Sequence, residues 1–139
     1  MGTPATRLPN PMYDPQRLLL VEDNEVDALL IKRSLRDSEF EVVHVREHSA
    51  IEPTLRKSDF LGILLDLHLP DSWASDTIAN LPNIAHEKII IVLSAGYVEL
   101  SNLCTADLSM TLLQKGHFDI DALPEIIRSI TSQHRKKEF

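Results

Sequence analysis

Cysteine occurs once in the 139 residues, at Cys104, so no intramolecular disulfide can form. That usage is consistent with a reducing, cytoplasmic setting, and Cys104 itself reads as a small buried hydrophobe. Long apolar runs are missing too: no stretch approaches the roughly 20 residues that a bilayer crossing needs, so no membrane association is expected. The N-terminal stretch 1–16 lacks the apolar segment of a secretory signal. With prolines at Pro4, Pro9, Pro11 and Pro15 it reads as an extended arm or linker. Positive charge is in deficit, with 14 Lys and Arg against 21 Asp and Glu and a formal net charge of −7. Phosphate backbones are bound by clustered Lys and Arg, so a general nucleic-acid-binding surface is not expected. Metal ions and basic partners stay open. No internal repeat or low-complexity segment is present, and His44, His48, His86 and His117 lack the spacing of a metal site.

What remains is the composition of an ordinary soluble domain, 43% apolar and 25% charged. Its organising stretch is Gly62-Ile63-Leu64-Leu65-Asp66-Leu67-His68-Leu69-Pro70-Asp71. An apolar run bounded by Gly and Pro reads as a buried strand, here 61–66, that carries Asp66 to its carboxyl end. Other strands are expected at 17–21, 40–45, 88–93 and 110–114. Between them the spacing of apolar residues predicts helices. The first follows Asn24 as N-cap, with Leu30, Ile31 and Leu35 on its inner face and Val26 and Leu29 flanking. A weaker one spans 47–57, with Ala50, Ile51 and Leu55 inward and Pro53 in its first turn. A short one is expected over 73–81 and an ill-defined one within 98–105. The last has Asp119 as N-cap and Ile120, Leu123, Ile126, Ile127 and Ile130 on one face. The basic stretch His134-Arg135-Lys136-Lys137 suits a helix C-terminus, or else a linker into a further domain. Five β/α alternations predict an α/β fold, a single (βα)5 unit with a doubly wound parallel sheet.

The polar residues at the strand ends then fall on one edge. Glu22 and Asp23 follow the first strand, Asp66 ends the third, Ser94 and Ala95 follow the fourth, and Lys115 follows the fifth. Singly, such residues are helix caps or solvated charges. Together they suit phosphoryl transfer to a carboxylate. Crowded carboxylates repel, a hard cation such as Mg²⁺ relieves that repulsion, and a lysine and a hydroxyl can share the charge on the transferring oxygens.

On the motifs Leu20-Val21-Glu22-Asp23-Asn24, Leu65-Asp66-Leu67-His68-Leu69-Pro70-Asp71, Val92-Leu93-Ser94-Ala95 and Gln114-Lys115-Gly116, the sequence resembles the receiver domains of two-component response regulators over 17–132. The resemblance implies a flavodoxin-like sheet in strand order 2-1-3-4-5, with 133–139 as a basic tail. It implies that Asp66 accepts a phosphoryl group from a sensor histidine kinase or phosphotransfer protein. Mg²⁺ would be held by Asp23, Asp66 and the backbone carbonyl of His68, with Glu22 acting through water. Ser94 would hydrogen-bond the phosphoryl group, Lys115 would pair with it, and the Ala95 amide would add a donor. Such a chain is not an enzyme beyond chemistry on its own Asp66. The resemblance also implies a cytoplasmic setting, a downstream effector protein or domain that is switched, and a homodimer formed on phosphorylation.

Several positions depart from the family pattern. Leu112 stands where an aromatic often reports phosphorylation, Lys115-Gly116 stands for the common Lys-Pro, and Ala74 replaces a usual glycine. The stretch 96–109 matches poorly. His68 is a candidate for controlling water access to Asp66, its other reading being a solvent-facing loop residue. Trp73 reads as a packing or interface residue. Two alternatives compete with the phosphorylated receiver. One is a pseudo-receiver that binds a protein partner without phosphorylation. The other is a small aspartate-nucleophile phosphohydrolase, ranked last because His68 stands where such enzymes carry a second aspartate.

Overall fold

The computed structural model describes residues 16–66, 85, 87–94 and 110–137, without the side chains of 94 and 134–137. The helices expected over 73–81 and 98–105, and His68, Trp73, Ala74, Ala95 and Cys104, lie outside the described residues. Gln16–Val21 forms β1, and its Leu18, Leu19, Leu20 and Val21 are fully buried. A strand apolar on both faces must lie within a sheet covered on both sides. β1 pairs in parallel with β2 (Phe40–Val45) and β3 (Gly62–Asp66), and β4 (Ile89–Ser94) and β5 (Met110–Gln114) complete the order β2-β1-β3-β4-β5. This is the expected doubly wound arrangement. β2 and β5 span the expected residues, while β1 and β3 begin at Gln16 and Gly62 and β4 is shifted to Ile89–Ser94.

The alternation along the strands feeds two cores. Leu19, Val21, Ile63, Leu65, Ile90 and Val92 meet Ile51, Leu55 and Phe60 on one face. Leu18, Leu20, Leu64, Ile91 and Leu93 meet Ala28, Ile31, Leu35, Leu123 and Ile127 on the other. Each such large side chain contributes about 2 kcal/mol by leaving water. Leu112 packs at the margin of the first core, beside Met110.

Helix α1 is Glu25–Leu35. Asn24 caps it: the Asn24 side-chain oxygen accepts from the Asp27 N–H at 2.9 Å. Its inner face differs from expectation. Ala28, Ile31 and Leu35 are buried, whereas Leu30, expected inward, is 44% exposed and Val26 and Leu29 more so. The row i, i+3, i+7 through Ala28 lets the helix axis approach the sheet, and this rotates the bulkier leucines outward. The helix expected over 47–57 is shorter, a 3₁₀ turn at His48–Ala50 leading into α2, Ile51–Leu55. No side-chain cap supports either start. Pro53 lies in the first turn of α2, where a missing N–H is tolerated.

A 3₁₀ turn at Ile120–Ala122 opens into α3, Leu123–Lys137, so the expected basic tail is helical as far as Lys137. Asp119 caps the turn, accepting from the Asp121 N–H at 3.0 Å. Leu123 and Ile127 are fully buried, and Ile126 and Ile130 only half so. Arg128 clamps α3 to the segment after α1 through two hydrogen bonds of 2.7 Å to Glu39. No helix among the described residues is long and apolar enough to cross a membrane. Strand order reverses between β1 and β3, so their carboxyl ends open onto the crevice where doubly wound sheets bind ligands.

Candidate functional site

Glu22 leaves the end of β1, Asp66 ends β3 and Lys115 follows β5, and the three converge at that crevice. Lys115 Nζ lies 2.8 Å from Glu22 Oε1, 2.9 Å from Asp27 Oδ2 and 3.6 Å from Asp66 Oδ2. Glu22 is fully buried and Asp66 is 4% exposed. Gly116 makes this placement of Lys115 possible. Its φ of +82° turns the chain directly after the lysine, and the His117 N–H closes the turn on the Gln114 carbonyl at 3.0 Å. A side chain at this φ is strained, so glycine fits the position. No cis peptide occurs among the described residues.

The β1–α1 connection is held on every side. The Glu22 N–H donates to the Val45 carbonyl at 3.0 Å, and His44 Nε2–H donates to the Glu22 carbonyl at 2.8 Å. The Asn24 N–H donates to Glu22 Oε2 at 3.2 Å. Arg46 reaches the Asp23 carbonyl at 3.4 Å and pairs with Glu25. The Arg46–Glu25 hydrogen bond holds the Glu25 carboxyl below its usual range and the Arg46 guanidinium above its own.

Burial pushes the Glu22 carboxyl up to about 7. Its hydrogen bond with Asp66 adds to the shift, against the pull of Lys115. For Lys115 burial favours the neutral form, but hydrogen bonds to Glu22 and Asp27 outweigh it and the ammonium is held above its usual range. Glu22 is thus a carboxyl that resists ionisation beside a second carboxyl. A hard divalent cation would favour the ionised form of both adjoining carboxyls. Of the expected metal ligands, the His68 carbonyl lies outside the described residues. Glu22 and Asp66 adjoin, the Asp23 side chain is exposed, and no three His, Cys, Asp or Glu side chains among the described residues form a metal-binding group. Lys115 lies between Glu22 and Asp66 and contacts Glu22 directly.

A Glu22→Gln variant keeps the shape and removes the titration. A carboxyl raised from an unfolded value of 4.5 to about 7 supports the fold below 4.5, and that support is lost as pH rises towards 7. In chelator, wild-type stability is therefore expected to fall by on the order of 3 kcal/mol over that interval, and the Gln variant to lack that component. Urea unfolding from pH 5 to 8 checks this, and parallel pH profiles would contradict it.

Ser94 ends β4 in register with Gln114, next to the strand end that presents Lys115. Asp27, His44 and Arg46 were not expected in the site. Parallel pairing of Val21 with Val45 sets residues 44 and 46 beside 22 and 23, and a cap at Asn24 brings Asp27 back over the strand ends. A cavity of about 230 Å³ adjoins the site between α1 and the β5–α3 connection, polar at Asp27 and Lys115 and otherwise lined by such residues as Leu30, Leu93 and Phe118.

No protein-family model matches the sequence, and no curated protein matches it. Solved structures do. A signal receiver domain assigned to a Luxo repressor protein from Vibrio parahaemolyticus is 26% identical with a TM-score of 0.74, the match covering 88% of this chain and 95% of that one. A CheY-like response regulator receiver domain from Methanospirillum hungatei is 18% identical with a TM-score of 0.76, covering 89% and 99%. The Mn²⁺-bound form of response regulator Rcp1 is 23% identical with a TM-score of 0.64, covering 85% and 93%. The last two are likenesses of fold.

Proposed function

We propose that this chain, which has the receiver-domain fold of two-component response regulators, is a phosphorylation switch with Asp66 as its phosphoacceptor. The observation that carries this is the Lys115 ammonium held by Glu22 within 3.6 Å of Asp66, at the carboxyl ends of β1 and β3. An Asp66 carboxylate oxygen attacks the phosphorus of a phosphohistidine. A P–O bond forms, the P–N bond breaks, and its electron pair returns to the imidazole. A carboxylate nucleophile needs no general base. Lys115 pairs with a phosphoryl oxygen, and the Ser94 hydroxyl and the Ala95 amide donate hydrogen bonds to the others. Glu22, Asp23, Asp66 and the His68 carbonyl would hold Mg²⁺, which supplies charge neutralisation at the transferring oxygens. The neighbour bound to Mn²⁺ supports a divalent cation here.

On this reading the partners are a sensor histidine kinase or phosphotransfer protein and a downstream effector protein. The setting is cytoplasmic, and the chemistry is confined to the chain's own Asp66. The test is incubation with a small acyl phosphate and Mg²⁺, read by intact mass. Wild type is expected to gain one acid-labile phosphoryl group and Asp66→Asn none. Failure of wild type to be phosphorylated by an acyl phosphate and by a histidine kinase would favour the phosphorylation-independent module.

A further inference from the structure

We infer that Asp27 is a positioning residue that holds Lys115 in the resting state and competes with the phosphoryl group for its ammonium. The inference rests on the proposed role of Asp66. Lys115 Nζ is nearly equidistant from Glu22 at 2.8 Å and Asp27 at 2.9 Å, and farther from Asp66 at 3.6 Å. The two close partners differ in kind. Glu22 is fully buried and comes from the β1 edge, whereas the Asp27 side chain is 34% exposed and belongs to the first turn of α1.

A phosphoryl group on Asp66 adds oxygens beyond Oδ2, and Lys115 has to turn towards them. Glu22 adjoins Asp66 and can keep its contact during that movement. Asp27 instead lines, with Lys115, Leu30 and Phe118, a cavity that neither Glu22 nor Asp66 lines. Its ion pair is therefore the one that must be loosened. The Asp27 carboxylate does not drift out of reach, because its own backbone N–H is fixed by the Asn24 cap at 2.9 Å and Ala28 beside it is buried against the sheet. Asp27 thus sets the ease with which the switch leaves the resting state. A half-exposed ion pair of this type corresponds to about a fivefold effect on an equilibrium.

The test is binding of the phosphoryl analogue beryllium trifluoride with Mg²⁺, measured by titration on wild type, Asp27→Asn and Asp27→Glu, with urea unfolding of each. Asp27→Asn is expected to bind the analogue about fivefold more tightly, and Asp27→Glu, which restores the competing charge, to return to wild-type affinity. A merely structural role would change unfolding without this pattern. Unchanged or weaker binding by Asp27→Asn, with wild type binding normally, overturns the role of Asp27 alone. No binding by wild type overturns the reading of Asp66 and, with it, this one.

Discussion

Lys115→Ala is expected to slow phosphoryl incorporation from an acyl phosphate by about 100-fold, the scale on which removing a preorganised charge from a transition state acts. The same substitution is expected to destabilise the fold by about 3 kcal/mol at pH 8, because it leaves buried carboxyls without their counter-charge. The two effects separate with pH. Glu22 already favours the protonated form up to about 7, so at pH 6 it can answer the loss of Lys115 by keeping its proton, and the stability cost shrinks. The slow transfer does not recover, since a neutral Glu22 offers no cation to the phosphoryl oxygens. Lys115→Met controls for lost volume and should behave like Ala in transfer. Urea unfolding at both pH values, beside initial rates of incorporation, measures this. Equal stability loss at pH 6 and pH 8, or transfer within a few-fold of wild type, would show that Lys115 is not the counter-charge of this site.

Gly62→Ala is expected to cost about 3 kcal/mol of stability, at the upper end of overpacking effects. A Cβ at Gly62 would sit 2.6 Å from the Ile89 carbonyl oxygen and overlap Ile89 Cγ1. The side chain could rotate aside; the carbonyl cannot. Gly62 and Ile89 are register partners of β3 and β4, and the Ile89 N–H is bonded to the Leu61 carbonyl at 3.2 Å. Relief therefore means separating two central strands at the start of the strand that carries Asp66. Thermal unfolding of Gly62→Ala, of Ile89→Ala, which removes Cγ1, and of the two combined checks the cause. With Ile89→Ala in place, Gly62→Ala should cost less but not nothing, because the backbone oxygen remains. A loss below ~0.5 kcal/mol, the range of ordinary surface changes, would contradict the close approach.

The strands were readable because β-branched and leucine runs bounded by turn residues have few other fates. β2 and β5 match their expected spans, and both caps, Asn24 and Asp119, act as such. Strand ends also carried the site, since Glu22, Asp66 and Lys115 meet once the order 2-1-3-4-5 is known. The inner face of α1 was less readable. Leu30 and Ala28 both suit a helical stripe, and only the closeness of helix and sheet selects the smaller residue. Gly62 looked like a strand boundary, and its real constraint is a contact with a residue far along the chain. The contact of Lys115 with Asp27 was hidden for the same reason: Asp27 lies in the first turn of α1 and meets the lysine only once that helix is docked across the strand ends.

The most direct measurement of the central claim is the location of the phosphoryl group itself. Wild-type protein phosphorylated in the presence of Mg²⁺ is trapped by reduction of the acyl phosphate, digested and sequenced by mass spectrometry. The account predicts a single modified residue, Asp66. Conversion of Asp23 or Asp27 to homoserine, or a phosphoryl group on a histidine, with Asp66 unmodified, would contradict it.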